Sequence, residues 1–205
     1  MDVCKDWFSK IRARRYVKRR QIMSKEDKFD LAHFKLIVDT VFDATEPTLM
    51  GSRFTQLLVS ALGVKGATIF VVNPGKEELE ILATEGLSIE YRNKGPILTD
   101  QSIRLAPNQK PIIIEDTQTS DQLQYPEKAA QEGIRSIISL PVNLRGKIIG
   151  ALRVYHSEPW QVSEQDLVYM DLLTRYIGMA LRYFRLSVAV QCARDTLDDI
   201  HSIWL

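Results

Sequence analysis

The chain has 205 residues, of which 45% are hydrophobic and 26% are charged. This composition is typical of a globular protein with a hydrophobic core, and it excludes collagen-like, disulfide-rich and low-charge membrane classes. The formal net charge of +1 is a cancellation, because residues 1–20 carry a net charge of +6 and the other 185 residues a net charge of −5. A basic arm therefore precedes an acidic body.

Several functional classes are excluded by motifs that the sequence lacks. No stretch approaches the roughly 20 apolar residues that span a bilayer, and the N-terminus lacks the apolar segment and cleavage site of a secretory signal. We therefore expect a cytoplasmic protein. The two cysteines, Cys4 and Cys192, form no CxxC pair, which disfavours a zinc site or a redox pair. Glycine motifs that bind phosphates or dinucleotides are also missing, and we expect no cofactor.

The first predicted elements are helices. Residues 1–28 are polar and basic, with a short apolar stripe that fits one helical face. Residues 29–46 repeat apolar side chains with a period of 3.6 and end before Pro47. Residues 48–62 predict a second short helix that ends at Gly63.

The middle of the chain predicts strands. Ala67–Asn73 is rich in β-branched residues, and the alternation from Leu79 to Ala83 predicts its hairpin partner. Pro111–Asp116 is short and apolar, as expected of a buried strand. The following polar segment, Asp121–Gly133, contains helix formers.

A second hairpin and a long helix follow. Arg135–Val142 and Lys147–His156 are predicted strands joined by a polar turn. Ser163 and Asp166 are spaced like an N-cap box, and they open an apolar stripe that continues towards Arg194. Antiparallel strand pairs with helices at both ends indicate an α+β fold rather than a doubly wound sheet.

Three segments resemble one known family. The stretch EGIRSIISLPVNLRGKIIGALRVYHSEPWQVSEQDL, from Glu132 to Leu167, resembles the C-terminal half of a GAF domain. In that family a strand ending in "PV" leads through a polar xGxxIG turn into a strand that precedes a Ser-Glu-x-Asp-Leu helix start. FTQLLVSALGVKGATIFVVN (Phe54–Asn73) is similar to the opening helix and first strand, and ATEGLS (Ala83–Ser88) to the end of the second strand.

The resemblance implies a central antiparallel sheet with helices from both ends packed on one face. It implies a ligand pocket on the other face, covered by the connections around residues 88–110 and 117–134. We therefore divide the chain into a basic arm (1–28), an N-terminal helix (29–47), a GAF-like domain (48–183) and a C-terminal helical extension (184–205).

The pocket implied by the resemblance has eight candidate ligand-binding residues. Arg135, at the start of a predicted strand, could hold a carboxylate or phosphate, or it could pair with Glu132 at the surface. Arg153 alternates onto one face of its strand, where it either lines the pocket or faces solvent. The other candidates could contact a ligand or have structural roles. The full set is Arg135, Ser136, Arg153, Tyr155, Tyr125, Asp116, Asp121 and Ser139.

The resemblance also bears on activity. Members that attach a bilin or reduce methionine sulfoxide use cysteines in or near the pocket, and between Asp30 and Gln191 this chain has none. The "NKFDE"-type signature of the cyclic-nucleotide binders has no counterpart either. We therefore expect a non-catalytic sensor of a small molecule, with an anionic metabolite favoured over a cyclic nucleotide. The alternatives are an interaction module without a ligand and, least favoured, an enzyme.

The helical ends predict partners. Apolar residues continue through Val188, Leu197, Ile200 and Trp204, and a monomer would struggle to cover them. We expect a homodimer that signals to an output protein in trans, since no output domain is found in the sequence. The basic arm could contact an anionic membrane surface or nucleic acid, or be a tail, and translation could instead start at Met23.

Overall fold

The sheet is the centre of the fold. The structure is a computed structural model that describes residues 27–42, 44–73, 75–76, 78–98 and 110–203. The helices in these ranges are α1 (Leu31–Phe42), α2 (Pro47–Leu62), α3 (Ile89–Arg92), α4 (Pro126–Glu132) and α5 (Glu164–Ile203). The strands are β1 (Gly66–Asn73), β2 (Glu78–Glu85), β3 (Ile97–Leu98), β4 (Ile112–Ile114), β5 (Ser136–Leu144) and β6 (Lys147–His156).

These strands form one antiparallel sheet in the order β3-β2-β1-β6-β5-β4. The two predicted hairpins, β1–β2 and β5–β6, lie side by side, so that β6 pairs with β1 at the centre. The long β6 strand is therefore hydrogen-bonded on both edges. The α+β class and the antiparallel sheet expected from the sequence are confirmed.

Helices α2 and α5 pack on one face of the sheet, as expected, and α1 packs against these two helices on the same side. Phe54 and Leu58 of α2 and Leu173 and Ile177 of α5 are fully buried there, in agreement with their 3.6-residue spacing. The strand residues in the same core are Ile69, Ile138, Leu140, Leu152 and Val154. The opposite face of the sheet is left to the connections between the strands.

Local signals placed several boundaries correctly. Gly63 adopts a left-handed conformation with φ of 59° and ends α2, which is the role expected of a C-cap glycine. The predicted helix over 29–46 is shorter, at Leu31–Phe42, and Pro47 begins the next helix, because proline suits the first helical position. The strand expected over Pro111–Asp116 is limited to Ile112–Ile114.

The turn between β5 and β6 is tighter than expected. The strands continue to Leu144 and from Lys147, which leaves only Arg145 and Gly146 between them. Both residues have positive φ, 52° and 79°, as a type I′ hairpin turn requires. Glycine adopts this conformation freely, whereas Arg145 adopts it at a steric cost.

Asp166 anchors the segment that enters α1. Its carboxylate accepts hydrogen bonds from the backbone amides of Phe29 (2.9 Å) and Lys28 (3.1 Å). Its own backbone amide donates to the Ser163 hydroxyl at 3.0 Å, which confirms the predicted cap at the start of α5. One buried carboxylate therefore ties the beginning of α1 to the beginning of α5.

Residues 1–26 of the basic arm lie outside the described residues. The contacts expected between the arm and a membrane surface or nucleic acid therefore stay predictions. Within the described ranges, no helix is both long and apolar enough to cross a membrane, and no group of metal-ligating side chains is found. The cytoplasmic location expected from the sequence stays a prediction.

Replacing Asp166 by Ala should destabilise the protein substantially. The substitution leaves the Lys28 and Phe29 amides without an acceptor, and each buried unsatisfied donor costs about 1–3 kcal/mol. We expect the free energy of unfolding in urea to fall by about 2–3 kcal/mol. As a control, Asp171→Ala removes an exposed ion pair with Arg175 and should cost no more than about 0.5 kcal/mol. Similar small losses in both variants would contradict the anchoring role.

Candidate functional site

A cavity of about 270 Å³ lies on the sheet face opposite the three helices. Its floor is formed by β4, β5 and β6, and its cover by α3, the segment leading to β3, and the loop before α4. Both connections that the resemblance assigned to the cover contribute lining residues. The lining is Tyr91, Lys94, Ile97, Ile112, Ile114, Gln122, Leu123, Gln124, Tyr125, Ile137, Ser139 and Arg153.

Arg153 is the central charge of the floor. Strand pairing places it between Ser139 on β5 and Thr68 on β1. Its Nε donates to the Ser139 hydroxyl at 3.3 Å, and its guanidinium lies 5.2 Å from the ring centre of Phe70. A guanidinium has five N–H donors, so these contacts orient the side chain and leave donors for a bound anion.

Lys94 supplies a second positive charge to the cavity. Its Nζ donates to the Tyr91 carbonyl at 3.1 Å and lies 3.8 Å from the centre of the Tyr91 ring. Burial, and then the nearby charge of Arg153, lower the pKa of Lys94 to about 8. The ammonium is therefore charged at neutral pH, but it lacks the full stabilisation that water or an anion would give it.

Two tyrosines support the charged end of the cavity. Tyr91 and Tyr155 meet edge to face, with ring centres 5.9 Å apart. Burial raises the pKa of both phenols, so both stay neutral and can donate hydrogen bonds. Tyr155 is almost completely buried on the same face of β6 as Arg153, where its hydroxyl contacts Thr68 and Arg153.

The remaining lining is neutral. Four isoleucines and Leu123 form the apolar wall, and no carboxylate belongs to the lining that the structure describes. An anion placed near Arg153 would consequently meet two cations and neutral hydrogen-bond donors. In a partly enclosed space such contacts are stronger than they are in water.

Glu132, the last residue of α4, connects α4 to the segment before α3. Its carboxylate accepts hydrogen bonds from the Ser88 amide (3.0 Å) and the Ser88 hydroxyl, and it pairs with Lys65 at 3.6 Å. Ser88 in turn caps α3 by accepting from the Tyr91 amide at 3.1 Å. The position of Tyr91 in the cavity therefore depends on α4 through a chain of hydrogen bonds.

A second contact joins the two halves of the cover. The Tyr125 hydroxyl donates to the Pro96 carbonyl at 2.9 Å. Gly95, with φ of 133°, lies so close that a Cβ there would be 2.6 Å from the Tyr125 hydroxyl. Glycine is thus required at Gly95 both for the backbone conformation and for the approach of Tyr125.

The structure brings some of the predicted site residues together. Arg153, Ser139 and Tyr125 line the cavity, and Tyr155 is two residues from Arg153 on the same face of β6. Asp121 is exposed and is not part of the lining.

Arg135 and Asp116 are not brought to the cavity. The Arg135 Nη2 and Nε donate to the two Asp116 oxygens at 2.8 and 3.2 Å. This forked contact, and above all the hydrogen bonds from Arg135, lowers the pKa of Asp116. The surface alternative for Arg135 named the wrong partner, because Glu132 is occupied by Ser88 and Lys65. The sequence prediction placed Arg135 and Asp116 in the ligand pocket, but neither side chain belongs to the described lining of this cavity.

Ser136 also needs a correction. It is adjacent to Ile137, whose side chain lines the cavity, so its own side chain points to the opposite face of the sheet. There its hydroxyl donates to the Glu158 carbonyl at 3.0 Å. Ser136 is a structural residue of the helix-covered core.

Sequence reasoning missed Lys94. It lies in the polar segment Asn93-Lys94-Gly95, where nothing distinguishes a lysine over a cavity from a lysine in solvent. The one available signal was its position in a connection expected to cover the pocket. The short elements that orient it, α3 and β3, have four and two residues and give no periodicity to read.

Comparison with known proteins gives one family. Residues 50–181 match the family model described as GAF domain. Comparison with curated proteins finds no match.

Solved structures show the same fold at low identity. The GAF domain of a phosphoenolpyruvate-protein phosphotransferase from Coxiella burnetii is similar with a TM-score of 0.70 and 17% identity, over 78% of this chain and 96% of that one. The corresponding Acinetobacter domain gives 0.64 and 16%, over 76% and 94%. A free methionine-R-sulfoxide reductase from Neisseria meningitidis, in complex with its substrate, gives 0.65 and 16%, over 81% and 99%.

The Glu132 contacts should make part of the stability depend on pH. Burial alone raises the pKa of Glu132, but the hydrogen bonds from Ser88 and the charge of Lys65 bring it below its usual value of 4.5. The stability that these contacts add is therefore present above pH 4.5 and is lost as the pH falls through the folded-state pKa. We expect wild type to be more stable than Glu132→Gln at pH 7, and the difference to shrink between pH 5 and pH 3. Urea unfolding across this range measures it, and a constant difference would contradict the prediction.

Proposed function

Because the chain belongs to the GAF domain family, we propose that it is a non-catalytic sensory module that binds a small anion and signals through a helical dimer. GAF domains are common sensory and regulatory modules of signalling proteins. The observation that carries the anion part is the meeting of Arg153 and Lys94 in one cavity whose described lining contains no carboxylate.

The charges favour a negatively charged ligand for a physical reason. Two partly desolvated cations in one cavity repel each other, and the lowered pKa of Lys94 records part of that repulsion. A bound anion relieves the repulsion and gains charge-assisted hydrogen bonds from the guanidinium. A neutral ligand gives neither benefit.

Catalysis is disfavoured by the residues around the cavity. The described lining contains no cysteine, histidine or carboxylate, and its serine, Ser139, contacts the Arg153 guanidinium, which cannot act as a general base. Cys192 is exposed on α5, well beyond the part of the helix that packs on the sheet. The reductase from Neisseria meningitidis shares the fold, but at 16% identity the likeness carries no activity to this chain.

Arg153→Gln should remove anion binding while Arg135→Gln retains it. Both variants delete one guanidinium, but only Arg153 lines the cavity. We expect thermal shift and isothermal titration at pH 7, with phosphate, acetate, butyrate, succinate and cyclic AMP as probes, to find saturable binding of at least one anion. Loss of a charged hydrogen bond should weaken that binding about 10- to 100-fold in Arg153→Gln.

Two results would contradict this part of the proposal. Equal affinity in wild type and Arg153→Gln would remove the cavity arginine from the site. The absence of a saturable shift with every probe would favour the second candidate function, an interaction module without a ligand.

The dimer part of the proposal rests on α5. An apolar seam follows the helix with alternating spacings of four and three residues, and most of its side chains are exposed. In the sequence the spacing continues through Ile200 and Trp204. The α5 seam consists of Leu172, Tyr176, Met179, Tyr183, Leu186, Val190, Ala193 and Leu197.

The seam is separate from the face by which α5 packs on the sheet. The buried stripe runs through Leu173, Ile177, Leu181 and Phe184, and at about 100° per residue its centre lies more than about 100° around the helix from the seam. From Arg185 to Leu197 every residue is exposed. The body of the protein therefore covers one stripe and, apart from Tyr176, which packs against the helix-covered core, leaves the seam for another chain.

A second copy is the partner that fits the seam. Apolar residues at strict 4–3 spacing over four heptads are the pattern of a coiled coil, and the neighbouring layers of Leu186 at d and Val190 at a have the composition that favours a parallel dimer. In this register Tyr176, Tyr183, Val190 and Leu197 take the a positions, and Leu172, Met179, Leu186 and Ala193 the d positions. Each layer of a parallel dimer would pair a residue with its own copy.

The cavity and the seam are connected through β5. Gly178 of α5 packs so closely on this strand that a Cβ would lie 3.1 Å from the Asn143 carbonyl oxygen and 3.4 Å from the Val142 side chain. Ser139 and Ile137, on the same strand, line the cavity. A ligand that shifts β5 would consequently press on α5, which supports signalling to a partner in trans through the dimer.

Leu186→Glu should abolish the dimer, whereas Val188→Glu should leave it intact. The two side chains are equally exposed, at 60% and 62%, but Leu186 is at a d position of the seam and Val188 on the outer face. We expect light scattering at micromolar concentration to give a dimer mass for wild type and Val188→Glu and a monomer mass for Leu186→Glu. A monomeric wild type would contradict the proposal.

Disulfide cross-linking tests separately whether the two α5 helices of the dimer are parallel. Val190→Cys, made with Cys192→Ser, should form an intermolecular disulfide rapidly because the a-position residues of a parallel dimer face each other. Failure to cross-link in a confirmed dimer would indicate an antiparallel or shifted arrangement.

A further inference from the structure

We propose that the anion bound in the cavity is the carboxylate of a short monocarboxylic acid, whose hydrocarbon chain lies along the isoleucines of β4 and β5. This inference rests on the proposed function and adds the chemical class of the ligand. It follows from an asymmetry of the cavity floor, which has Arg153 on β6 and isoleucines on β4 and β5.

The register of three strands sets the direction of the cavity floor. Arg153 on β6 pairs with Ser139 on β5, and Ser139 pairs with Ile112 on β4. Neighbouring strands lie about 4.8 Å apart, so the Ile112 backbone is about 10 Å from that of Arg153. The floor therefore changes from a cation to an aliphatic side chain within the length of a small molecule.

The next row of the floor continues the aliphatic end. Ile114 on β4 pairs with Ile137 on β5, and both side chains line the cavity. Leu123, in the loop before α4, adds a further aliphatic side chain. The apolar end is thus built from two strands and the cover above them.

The charged end is equally localised. The Lys94 ammonium lies over the Tyr91 ring, and Tyr91 meets Tyr155, which is two residues from Arg153 on the same face of β6. Both cations are therefore on the β6 side of the cavity. We expect a carboxylate bound there to interact with both charges.

The opposite end does not suit a second charge. A second carboxylate or a further phosphate would lie against Ile112 and Ile114, where the described lining contains no cation, and burying an unpaired charge is strongly unfavourable. The side-chain amide of Gln124 is bonded to the Pro96 carbonyl and the Tyr125 hydroxyl, and Gln122 is neutral. The cavity, at about 270 Å³, is also at the small end of the range for ligand sites.

A homologous series of acids tests the class. Isothermal titration at pH 7 with acetate, propionate, butyrate, pentanoate and 4-methylpentanoate should show affinity rising about fourfold for each buried methylene. Butyrate should bind at least tenfold more tightly than 1-butanol, because the alcohol lacks the charge that the arginine and lysine hold. Succinate should bind more weakly than butyrate.

Two isoleucine variants locate the hydrocarbon chain. Ile112→Thr keeps a β-branched residue on the edge strand but removes part of the apolar end, so the increase in affinity per methylene should be reduced. Ile81→Thr is the matched control, since Ile81 is a strand residue outside the lining and 39% exposed. It should leave the whole series unchanged.

The outcomes separate this inference from the function on which it rests. Equal affinity along the acid series, or tighter binding of succinate or phosphate than of any monocarboxylate, would overturn the ligand class and leave an anion site that depends on Arg153. A rising series that Ile112→Thr and Ile81→Thr affect equally would overturn the placement of the chain. No binding of any anion would overturn both proposals.

Discussion

Arg153 carries a permanent positive charge at the centre of the sheet, and the arrangement of the cavity follows from that charge. β6 is hydrogen-bonded on both edges, so Arg153 lies in the interior of the sheet and its side chain is half-buried in the cavity. Its neighbours are instead a serine hydroxyl, a buried phenol and an aromatic ring. None of these neutralises the charge.

An unneutralised arginine affects the groups around it. It contributes to the lowered pKa of Lys94, and it is one of the groups that shape the titration of Tyr91 and Tyr155. The cover places a lysine over the same space, and the lining that the structure describes contains no carboxylate. A fold that needed this arginine only for stability would gain more from pairing it with an acidic residue, as the surface pair of Arg135 and Asp116 illustrates.

Sequence reading succeeded where the determining interaction is local. The cap at Ser163, the left-handed glycine at Gly63 and the alternation along β6 each depend on residues within a few positions of one another. The alternation along β6 gives the wrong face for one residue, Ile149, which it places on the face of Arg153. Ile149 belongs to the helix-covered core rather than to the Arg153 face, because the pairing of β5 with β6 shifts between Val142 and Asn143 and the extra residue reverses the alternation.

The site was less predictable because its parts are distant in sequence. Arg135 was expected to contact either a ligand or a residue three positions away, and its partner is Asp116, on another segment of the chain. Lys94 depends on a four-residue helix whose cap is fixed by Glu132, 44 positions further on. Such contacts form only when the cover closes over the sheet, and no spacing within one segment encodes them.

Because α5 is long, a small movement at the Gly178 contact becomes a larger movement at the end of the helix. Arg185–Ile203, beyond the last buried residue of the helix, extends about 28 Å at 1.5 Å per residue. A rigid rod of this length multiplies angular change, and a tilt of about 10° at the sheet would move its tip by about 5 Å. A movement of β5 too small to alter the core could thus become, at the far end of the rod, a displacement as large as one turn of a helix.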